Sequence, residues 1–225
     1  MGRSAFLYAG FLKNLGFEAT ECQDRLFREI AAFVTGDEDL MVVNGYAGTG
    51  KTSALAAVIS TLDFFNVPCV LLAPTGRAAK VLSSFAHKPA YTIHKHIYRQ
   101  KSGGLAEFSL GPNKLKDALF IVDEASLIGI DSQERSAASF GSGNLLEDLL
   151  HPTNGGIVHN IRISKLIVLG DIRLGEVDLR QTVFDLLELK RDVRIDSICP
   201  IAFSPLHVNF GLILVKGIEG LKDPD

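Results

Sequence analysis

The glycine-rich segment at residues 45–52 carries the most specific chemical signal in the chain. It reads GYAGTGKT and matches GxxxxGK[ST] in full, between an apolar run and a helical pattern at residues 53–62. Such glycines let backbone N–H groups wrap a phosphate chain at a helix N-terminus, while the lysine reaches the β and γ phosphates and the last hydroxyl ligates Mg²⁺. The flanks disfavour the competing interpretation, a glycine turn with a chance lysine. The segment predicts a nucleoside triphosphate and Mg²⁺ held by Gly45, Ala47, Gly48, Thr49, Gly50, Lys51, Thr52 and Ser53.

Two adjacent carboxylates follow the apolar run at residues 119–122. Asp123, at a predicted strand end, is placed to hold the Mg²⁺ shell, and Glu124 is placed to position and polarise an attacking water. Taken alone, such a pair is usually a solvated turn or a helix N-cap. Because a complete phosphate loop precedes this pair, the two acids predict nucleotide hydrolysis.

Four short apolar runs supply the elements that must position these residues. They lie at residues 40–43, 69–73, 119–122 and 166–169, each bounded by turn residues and separated by helical or loop sequence. This pattern predicts buried parallel strands with crossover helices. Polar clusters at 45–52, 74–76, 123–124 and 170–171 directly follow the runs, so they meet at the carboxyl edge, where open α/β sheets bind ligands. The predicted fold is a three-layer α/β P-loop NTPase with a parallel sheet.

A helical pattern begins after Thr20 and ends before Gly36, which suits a C-cap. The segment Thr20-Glu21-Cys22-Gln23 fits a capping box, in which Thr20 and Gln23 satisfy backbone donors reciprocally. A glutamine amide also donates and accepts hydrogen bonds, so it can read an adenine edge. The spacing alone leaves both roles of Gln23 open.

The length and the composition of the chain limit the classes of protein to which it can belong. The 225 residues have room for one sizeable domain, and 47% hydrophobic with 22% charged residues is ordinary globular composition. The formal charge of −3 means that any nucleic-acid site must be local. Three widely spaced cysteines without a CxxC pair (Cys22, Cys69 and Cys199) favour a reducing compartment, hence a cytoplasmic location, over a thiolate metal site.

No membrane partner is expected. Residues 198–215 carry no Lys, Arg, Asp or Glu, but Pro200, Pro205, His207 and Asn209 interrupt them. A membrane helix tolerates that combination poorly, so the stretch is predicted to be strand and loop. The sequence carries no signal for the oligomeric state.

Residues 64–106 contain no Asp or Glu, although the chain as a whole is acidic. Six positive charges lie there with three aromatic residues between them, which suits a phosphate backbone and stacked bases. A solvated helix face is the competing interpretation. His94 and His96 lack a third ligand at a recognisable spacing, so no metal pair is predicted. The residues concerned are Arg77, Lys80, Lys88, Lys95, Arg99 and Lys101, with Phe85, Tyr91 and Tyr98.

Five segments resemble, in order and spacing, the motifs of RecD-like superfamily 1 DNA helicases. They are GYAGTGKT, APTGRAAKVLS at 73–83, TIHK at 92–95, IVDEAS at 121–126 and VLGD at 168–171. FGSGNLLEDLL at 140–150 further resembles a bacterial branch of AAA-family ATPases with helicase signatures. The resemblance runs from about residue 20 to residue 171.

The resemblance implies a RecA-like motor domain at 37–177 that binds ATP and single-stranded DNA, in a family that moves 5′ to 3′. A helical segment at 1–36 precedes it, and a tail of uncertain structure at 178–225 follows it. By this likeness Gln23 contacts adenine, Lys51 and Glu124 are catalytic, Thr52 and Asp123 hold Mg²⁺, and Asp171 belongs to the nucleotide site. The residues implied to lie along the DNA are Pro74, Thr75, Gly76, Arg77, Thr92 and His94.

The sequence departs from the family after Gly170-Asp171. The family continues with two residues and then Gln-Leu-Pro-Pro, whereas Arg173 here stands where a glutamine senses the γ-phosphate. Arginine donates hydrogen bonds but accepts none, so altered coupling between ATP and DNA grip is predicted. The 54 residues from 172 to 225 fall short of a second motor domain, which supplies an arginine worth about 10³ to 10⁵ in rate. The hypothesis is a truncated or frame-shifted copy with weak hydrolysis and no processive unwinding.

Two other functions compete with the helicase motor. One is a nucleotide-binding remnant that no longer hydrolyses ATP. The other is a non-helicase P-loop enzyme, such as a small-molecule kinase, whose turnover does not depend on DNA.

Overall fold

A mixed sheet with helices on both faces forms the centre of the fold. The computed structural model describes residues 2–38, 40–45, 50–100, 107–112, 115, 118–128, 139–150, 164–171, 194–199 and 211–216. The helices are α1 (Arg3–Leu15), α2 (Glu21–Thr35), α3 (Lys51–Phe64), α4 (Gly76–Ala86), α5 (Ile93–Ile97) and α6 (Leu145–Leu150), with a short 3₁₀ helix at Ala125–Leu127. The strands are β1 (Leu40–Gly45), β2 (Cys69–Ala73), β3 (Ala90–Thr92), β4 (Tyr98–Gln100), β5 (Glu107–Leu110), β6 (Ala118–Val122), β7 (Ser139–Phe140), β8 (Ser164–Asp171), β9 (Arg194–Cys199) and β10 (Gly211–Lys216).

The main sheet has the order β3-β2-β6-β8-β1-β10-β9 in the described part of the chain. The five strands from β3 to β1 are mutually parallel. Beyond β1, strand β10 pairs antiparallel with β1, and β9 pairs antiparallel with β10. The four apolar runs predicted to be parallel strands are therefore confirmed as β1, β2, β6 and β8. The predicted α/β P-loop fold with a parallel sheet is confirmed.

One register row crosses the parallel part of the sheet. Tyr91 pairs with Leu72, Leu72 with Val122, Val122 with Val168, and Val168 with Val42. Because the strands are parallel, residues that pair in one row lie at the same height in the sheet. The residues that follow this row therefore lie together at the carboxyl edge of the sheet. The four polar clusters all begin within three residues after this row. The register thus brings them to one edge of the sheet.

Alternate residues of the strands pack into two hydrophobic clusters, one on each face. Met41 and Val43 of β1 join the cluster that contains α1 to α4, whereas Leu40 and Val42 join the cluster with α5 and α6. Strand β6 reads ALFIV and is buried along its whole length, because helices cover both of its faces. This arrangement accounts for continuous apolar strands and gives the three layers.

The two N-terminal helices share one core with α3. In α1, Leu7, Phe11 and Leu15 recur every fourth residue and are buried in that cluster. Gly10 of α1 faces Thr61 of α3, and a β-carbon at position 10 would overlap the Thr61 methyl group. Helix α2 begins after Thr20 and ends before Gly36, as its sequence predicts. Both helices therefore pack directly against the helix that follows the phosphate loop.

A small second sheet lies beside α5 and α6 and has the order β4-β5-β7. The rings of Phe108 and Phe140 stack between β5 and β7, with centroids 4.5 Å apart. Both residues pack against the core cluster of α5 and α6. The small sheet is thereby fixed to the main sheet on the side opposite α1 to α4.

Within the residues that the structure describes, no helix combines the length and the apolar character needed to cross a bilayer. The apolar stretch at residues 198–215 contributes to β9 and β10, and its strand portions are paired with each other and with β1.

Candidate functional site

Helix α3 begins at the edge of the sheet, directly after the glycine-rich segment. Its N-cap is Gly50, whose φ of 78° and ψ of 20° lie in the left-handed region that favours glycine. Among the described residues no side chain caps this helix, so its first turn presents backbone N–H groups suited to an anion. Lys51 and Thr52 are half-buried in that turn, and Ser53 is exposed. Ala47, Gly48 and Thr49 lie outside the described residues.

Gln23 joins the N-terminal helix α2 to the phosphate loop. The capping box is formed: Thr20 N–H donates to Gln23 Oε1 at 3.1 Å, and Gln23 N–H donates to Thr20 Oγ1 at 3.3 Å. The cap involves the Gln23 Oε1 atom and not the amide nitrogen Nε2, which lies against Gly50. Only 3% of Gln23 is exposed. The capping role is confirmed, and the adenine contact remains a prediction that this position of Nε2 permits.

Asp123 follows β6 and lies within the electrostatic reach of Lys51. Its backbone N–H donates to Leu72 O at 3.0 Å, which extends the ladder with β2 by one residue. Burial is the main cause that raises the pKa of the Asp123 carboxyl, and the Glu124 carboxylate adds to it. The Glu124 N–H, which donates to Asp123 Oδ1 at 2.9 Å, and the Lys51 ammonium both act to lower that pKa. The phosphate-loop lysine and the first acid therefore share one site.

Glu124 is exposed and has an unusual backbone conformation. Its φ of 55° and ψ of 35° lie in the left-handed region, which costs a residue other than glycine about 1–3 kcal/mol. The residue is the N-cap of the 3₁₀ helix Ala125–Leu127, and Leu127 N–H donates to its carbonyl at 3.0 Å. Strained backbone of this kind, here beside the half-buried Asp123, is a common feature of functional sites.

Two further residues of the predicted nucleotide site lie on neighbouring strand ends. Gly45 at the end of β1 pairs in register with Asp171 at the end of β8. The backbone of Asp171 is thus next to the start of the phosphate loop. Arg173 lies outside the described residues.

The residues present fit a nucleotide with Mg²⁺. Glycine at position 50 lets the Gln23 amide lie beside the helix N-terminus, where a β-carbon would overlap it. Mg²⁺ in nucleotide sites usually takes one or two protein oxygens together with phosphates and waters. A threonine hydroxyl and one aspartate, as at Thr52 and Asp123, form such a donor set. The described residues contain no cluster of three or more His, Cys, Asp or Glu side chains, and this chemistry needs none.

The residues predicted to lie along DNA are placed at the starts of α4 and α5. Thr75 Oγ1 accepts from Ala78 N–H and Thr92 Oγ1 accepts from Lys95 N–H, both at 3.2 Å. Both threonines are therefore N-caps, a role that the sequence interpretation did not assign. Pro74 is half-buried just before α4, and Gly76 and Arg77 are exposed in its first turn.

His94 packs in an aromatic cluster and is half-buried. Its ring centroid is 5.2 Å from that of Phe140 and 5.6 Å from that of Tyr98. Burial lowers the pKa of His94, which favours the neutral imidazole. His94 thereby connects the predicted DNA surface to the small sheet.

A buried hydrogen bond fixes the FGSGNLLEDLL segment to the small sheet. Tyr98 Oη donates to Asp148 Oδ2 at 2.5 Å, and Ser142 N–H donates to the same oxygen at 3.0 Å. Asp148 is 1% exposed. Gly141 has a φ of 46°, and a β-carbon there would overlap the Asp148 carboxylate. Sequence reasoning missed this connection, for which the glycines around Ser142 and an aspartate within an apolar helix were the available signals.

Comparison with known proteins gives one family match and several similar proteins. A protein-family profile described as an AAA domain matches residues 20–141, more than half of the chain. The multifunctional conjugation protein TraI of Escherichia coli is 34% identical over 109 residues, which are 45% of this chain and 6% of that protein. The ATP-dependent RecD2 DNA helicase of Deinococcus radiodurans is 33% identical over 93 residues, which are 40% of this chain and 12% of that helicase.

The ATP-dependent DNA helicase dda of Enterobacteria phage T4 is 30% identical over 115 residues, which are 49% of this chain and 26% of that protein. The matched segment is thus a small part of each of these three larger proteins. The family-profile match at residues 20–141 contains the phosphate loop and the ends of β1, β2 and β6.

Proposed function

Because this chain belongs to the AAA-domain family and is similar to RecD-like superfamily 1 helicases, we propose that it is the ATP-hydrolysing motor domain of a DNA helicase. The observation that carries this proposal is the parallel register, which brings the end of β1, where the phosphate loop starts, and Asp123 at the end of β6 to one edge of the sheet, where the Lys51 charge acts on the Asp123 carboxyl. A phosphate-binding lysine and a metal-binding acid must lie at one site for ATP hydrolysis.

Each residue of the site has a role in this proposal. Lys51 and the N–H groups at the start of α3 bind the β and γ phosphates, and Gln23 Nε2 contacts the adenine. Thr52 and Asp123 hold Mg²⁺, which when bound neutralises charge on the phosphates. Glu124 accepts a hydrogen bond from the attacking water and orients it towards the γ-phosphate.

Single-stranded DNA is the proposed partner. Thr75 and Thr92 start two helices at the same edge, and the positive ends of their backbone dipoles favour phosphates. Arg77 is exposed in the first turn of α4, and the surrounding residues 64–106 have no carboxylate. This surface has the charge that a DNA backbone requires, although the whole chain has a net charge of −3.

We expect the 225 residues alone to hydrolyse ATP slowly and to unwind no DNA processively. Motors of this type place the nucleotide between two domains, and the second domain supplies an arginine that stabilises the transition state. A strand-displacement assay that shows robust unwinding by this chain would contradict that expectation. We further propose a reducing, cytoplasmic location, which the wide spacing of Cys22, Cys69 and Cys199 favours.

Calorimetry with Mg²⁺ and ATP tests the nucleotide site. Lys51→Ala is expected to weaken ATP binding by about 10-fold or more, because a charge-assisted phosphate contact is lost. Lys13→Ala, a change at an exposed lysine of α1, is the matched control and should bind like the parent. Equal affinity of Lys51→Ala and the parent would contradict the assignment.

Measurements of ATP turnover distinguish the motor from the two other functions. If the parent binds ATP but hydrolyses none under any condition, the chain is a nucleotide-binding remnant. If turnover ignores single-stranded DNA and rises with a small phosphate acceptor, the chain is a kinase-type P-loop enzyme. The absence of Asp and Glu from residues 64–106, in a chain that is acidic overall, favours the DNA-dependent motor over both.

A further inference from the structure

A groove runs between α4 and the edge strand β3, beside the proposed DNA residues. Its volume is about 520 Å³, within the range of ligand sites. Gly76 and Thr92 lie at its end near the sheet edge. The side chains that line it include Lys80, Ser83, Tyr91 and Lys95. The groove is therefore continuous with the surface proposed to bind DNA, and three of its lining residues, Ser84, Ala90 and Tyr91, lie outside the segments that resemble the helicase motifs.

The groove is positively charged. None of its lining residues is acidic, whereas two are lysines. Lys80 is exposed on α4 and has no ion-pair partner among the described residues. The Lys95 ammonium lies over the ring of Tyr91, 5.6 Å from the ring centroid. A cation held only by an exposed ring is readily transferred to a phosphate, because a charge-assisted contact is stronger.

Tyr91 presents an aromatic ring at this edge. It pairs with Leu72 of β2 on one side, and no described strand pairs with it on the other. Its side chain is 41% exposed, which is unusual for a residue in the same register row as the buried Leu72 and Val122. Exposed aromatic rings flanked by cations are the means by which proteins stack the bases of single strands without reading their sequence.

We propose that Tyr91 stacks one base of single-stranded DNA in this groove while Lys80 and Lys95 bind the adjacent phosphates. Lys95 leaves the Tyr91 ring when a phosphate arrives, and the base takes its place on the ring face. The contact is independent of base identity, since stacking needs only a π-face. This inference rests on the proposed function, because it names how the same DNA surface holds its partner.

A tryptophan reporter tests the stacking directly. The chain contains no tryptophan, so Tyr91→Trp introduces a single fluorophore at the groove. Adding a thymidine oligonucleotide should quench its emission, whereas an abasic oligonucleotide of equal length and charge should not. Phe6→Trp, at an exposed position of α1 outside the groove lining, is the matched control and should respond little to either. Equal responses of Tyr91→Trp to both oligonucleotides would overturn the proposal.

Affinity measurements with substitutions give an independent test. Tyr91→Ala should raise the Kd for the thymidine oligonucleotide by about 5-fold to 150-fold, and Tyr91→Phe should stay within about twofold of the parent. Lys80→Ala should reduce the slope of log Kd against log salt concentration by about 1, the amount expected for the loss of one phosphate contact. If the parent binds DNA and Tyr91→Ala binds as tightly, the stacking role is wrong and the proposed function stands. If the parent binds no DNA, both are overturned.

Discussion

The side-chain amide of Gln23 lies against Gly50, so that a β-carbon at position 50 would be 2.7 Å from Gln23 Nε2. Gln23 belongs to the cap of α2, and Gly50 is the residue from which α3 starts. This contact means that the N-terminal helices position a wall of the proposed nucleotide site.

Gly50→Ala is expected to weaken ATP binding by about 10-fold or more. The added methyl group displaces the Gln23 amide, and the left-handed backbone of residue 50 costs alanine about 1–2 kcal/mol. Gly16→Ala is the matched control: residue 16 has the same φ of 78°, but no atom lies within 4 Å of its β-carbon position. Urea denaturation should show similar losses for both variants, whereas calorimetry should show weaker ATP binding only for Gly50→Ala. Unchanged binding by Gly50→Ala would refute the role of this contact.

Asp123→Asn is expected to lower turnover by about 100-fold or more while increasing stability at neutral pH. Loss of the carboxylate removes a metal ligand, which accounts for the turnover. The raised pKa of Asp123 means that the folded state favours its protonated form, so the ionised form at neutral pH costs stability. An uncharged amide avoids that cost.

The pH dependence of unfolding checks the sign of this effect. Below the pKa that Asp123 has in the unfolded chain, its contribution to stability is fully present. It is lost as pH rises through the higher pKa of the folded state. Without nucleotide and Mg²⁺, the parent should therefore lose stability relative to Asp123→Asn as pH rises above about 4, the ordinary pKa of an aspartate. A parent that gains stability relative to the variant as pH rises would contradict the raised pKa of Asp123.

Tyr98→Phe is expected to destabilise the fold by about 1–3 kcal/mol. The change leaves the buried carboxylate of Asp148 without one of its donors, although Ser142 N–H remains. Tyr91→Phe, at the exposed tyrosine of β3, is the matched control and should change stability by less than about 0.5 kcal/mol. Urea denaturation measures both. Equal stabilities of the two variants would show that the Tyr98–Asp148 bond contributes little.

The sequence predicts the main sheet well because local and global signals agree. Each of the runs at 69–73 and 119–122 is continuously apolar, and only a strand covered on both faces buries such a run. The residues that follow these runs are then fixed at one edge by parallel pairing alone. The meeting of Lys51 and Asp123 follows from this rule, without any knowledge of the side-chain packing.

Other features depend on contacts that no local pattern encodes. Tyr98 and Asp148 are 50 residues apart, and an aspartate in an apolar helix gives no indication of its partner. The placement of β10 beside β1 likewise depends on the whole sheet, since an apolar strand pairs equally well in several positions. The N-cap roles of Thr75 and Thr92 do have a local signal, a threonine directly before a helical pattern.

ATP turnover measured against the concentration of single-stranded DNA tests the central claim most directly. The motor assignment predicts slow turnover that rises with DNA in the parent, is lost in Lys51→Ala, and falls by about 100-fold or more in Glu124→Gln while ATP binding is kept. Turnover that is independent of DNA, or that survives Lys51→Ala, would contradict a DNA-dependent ATPase at this sheet edge.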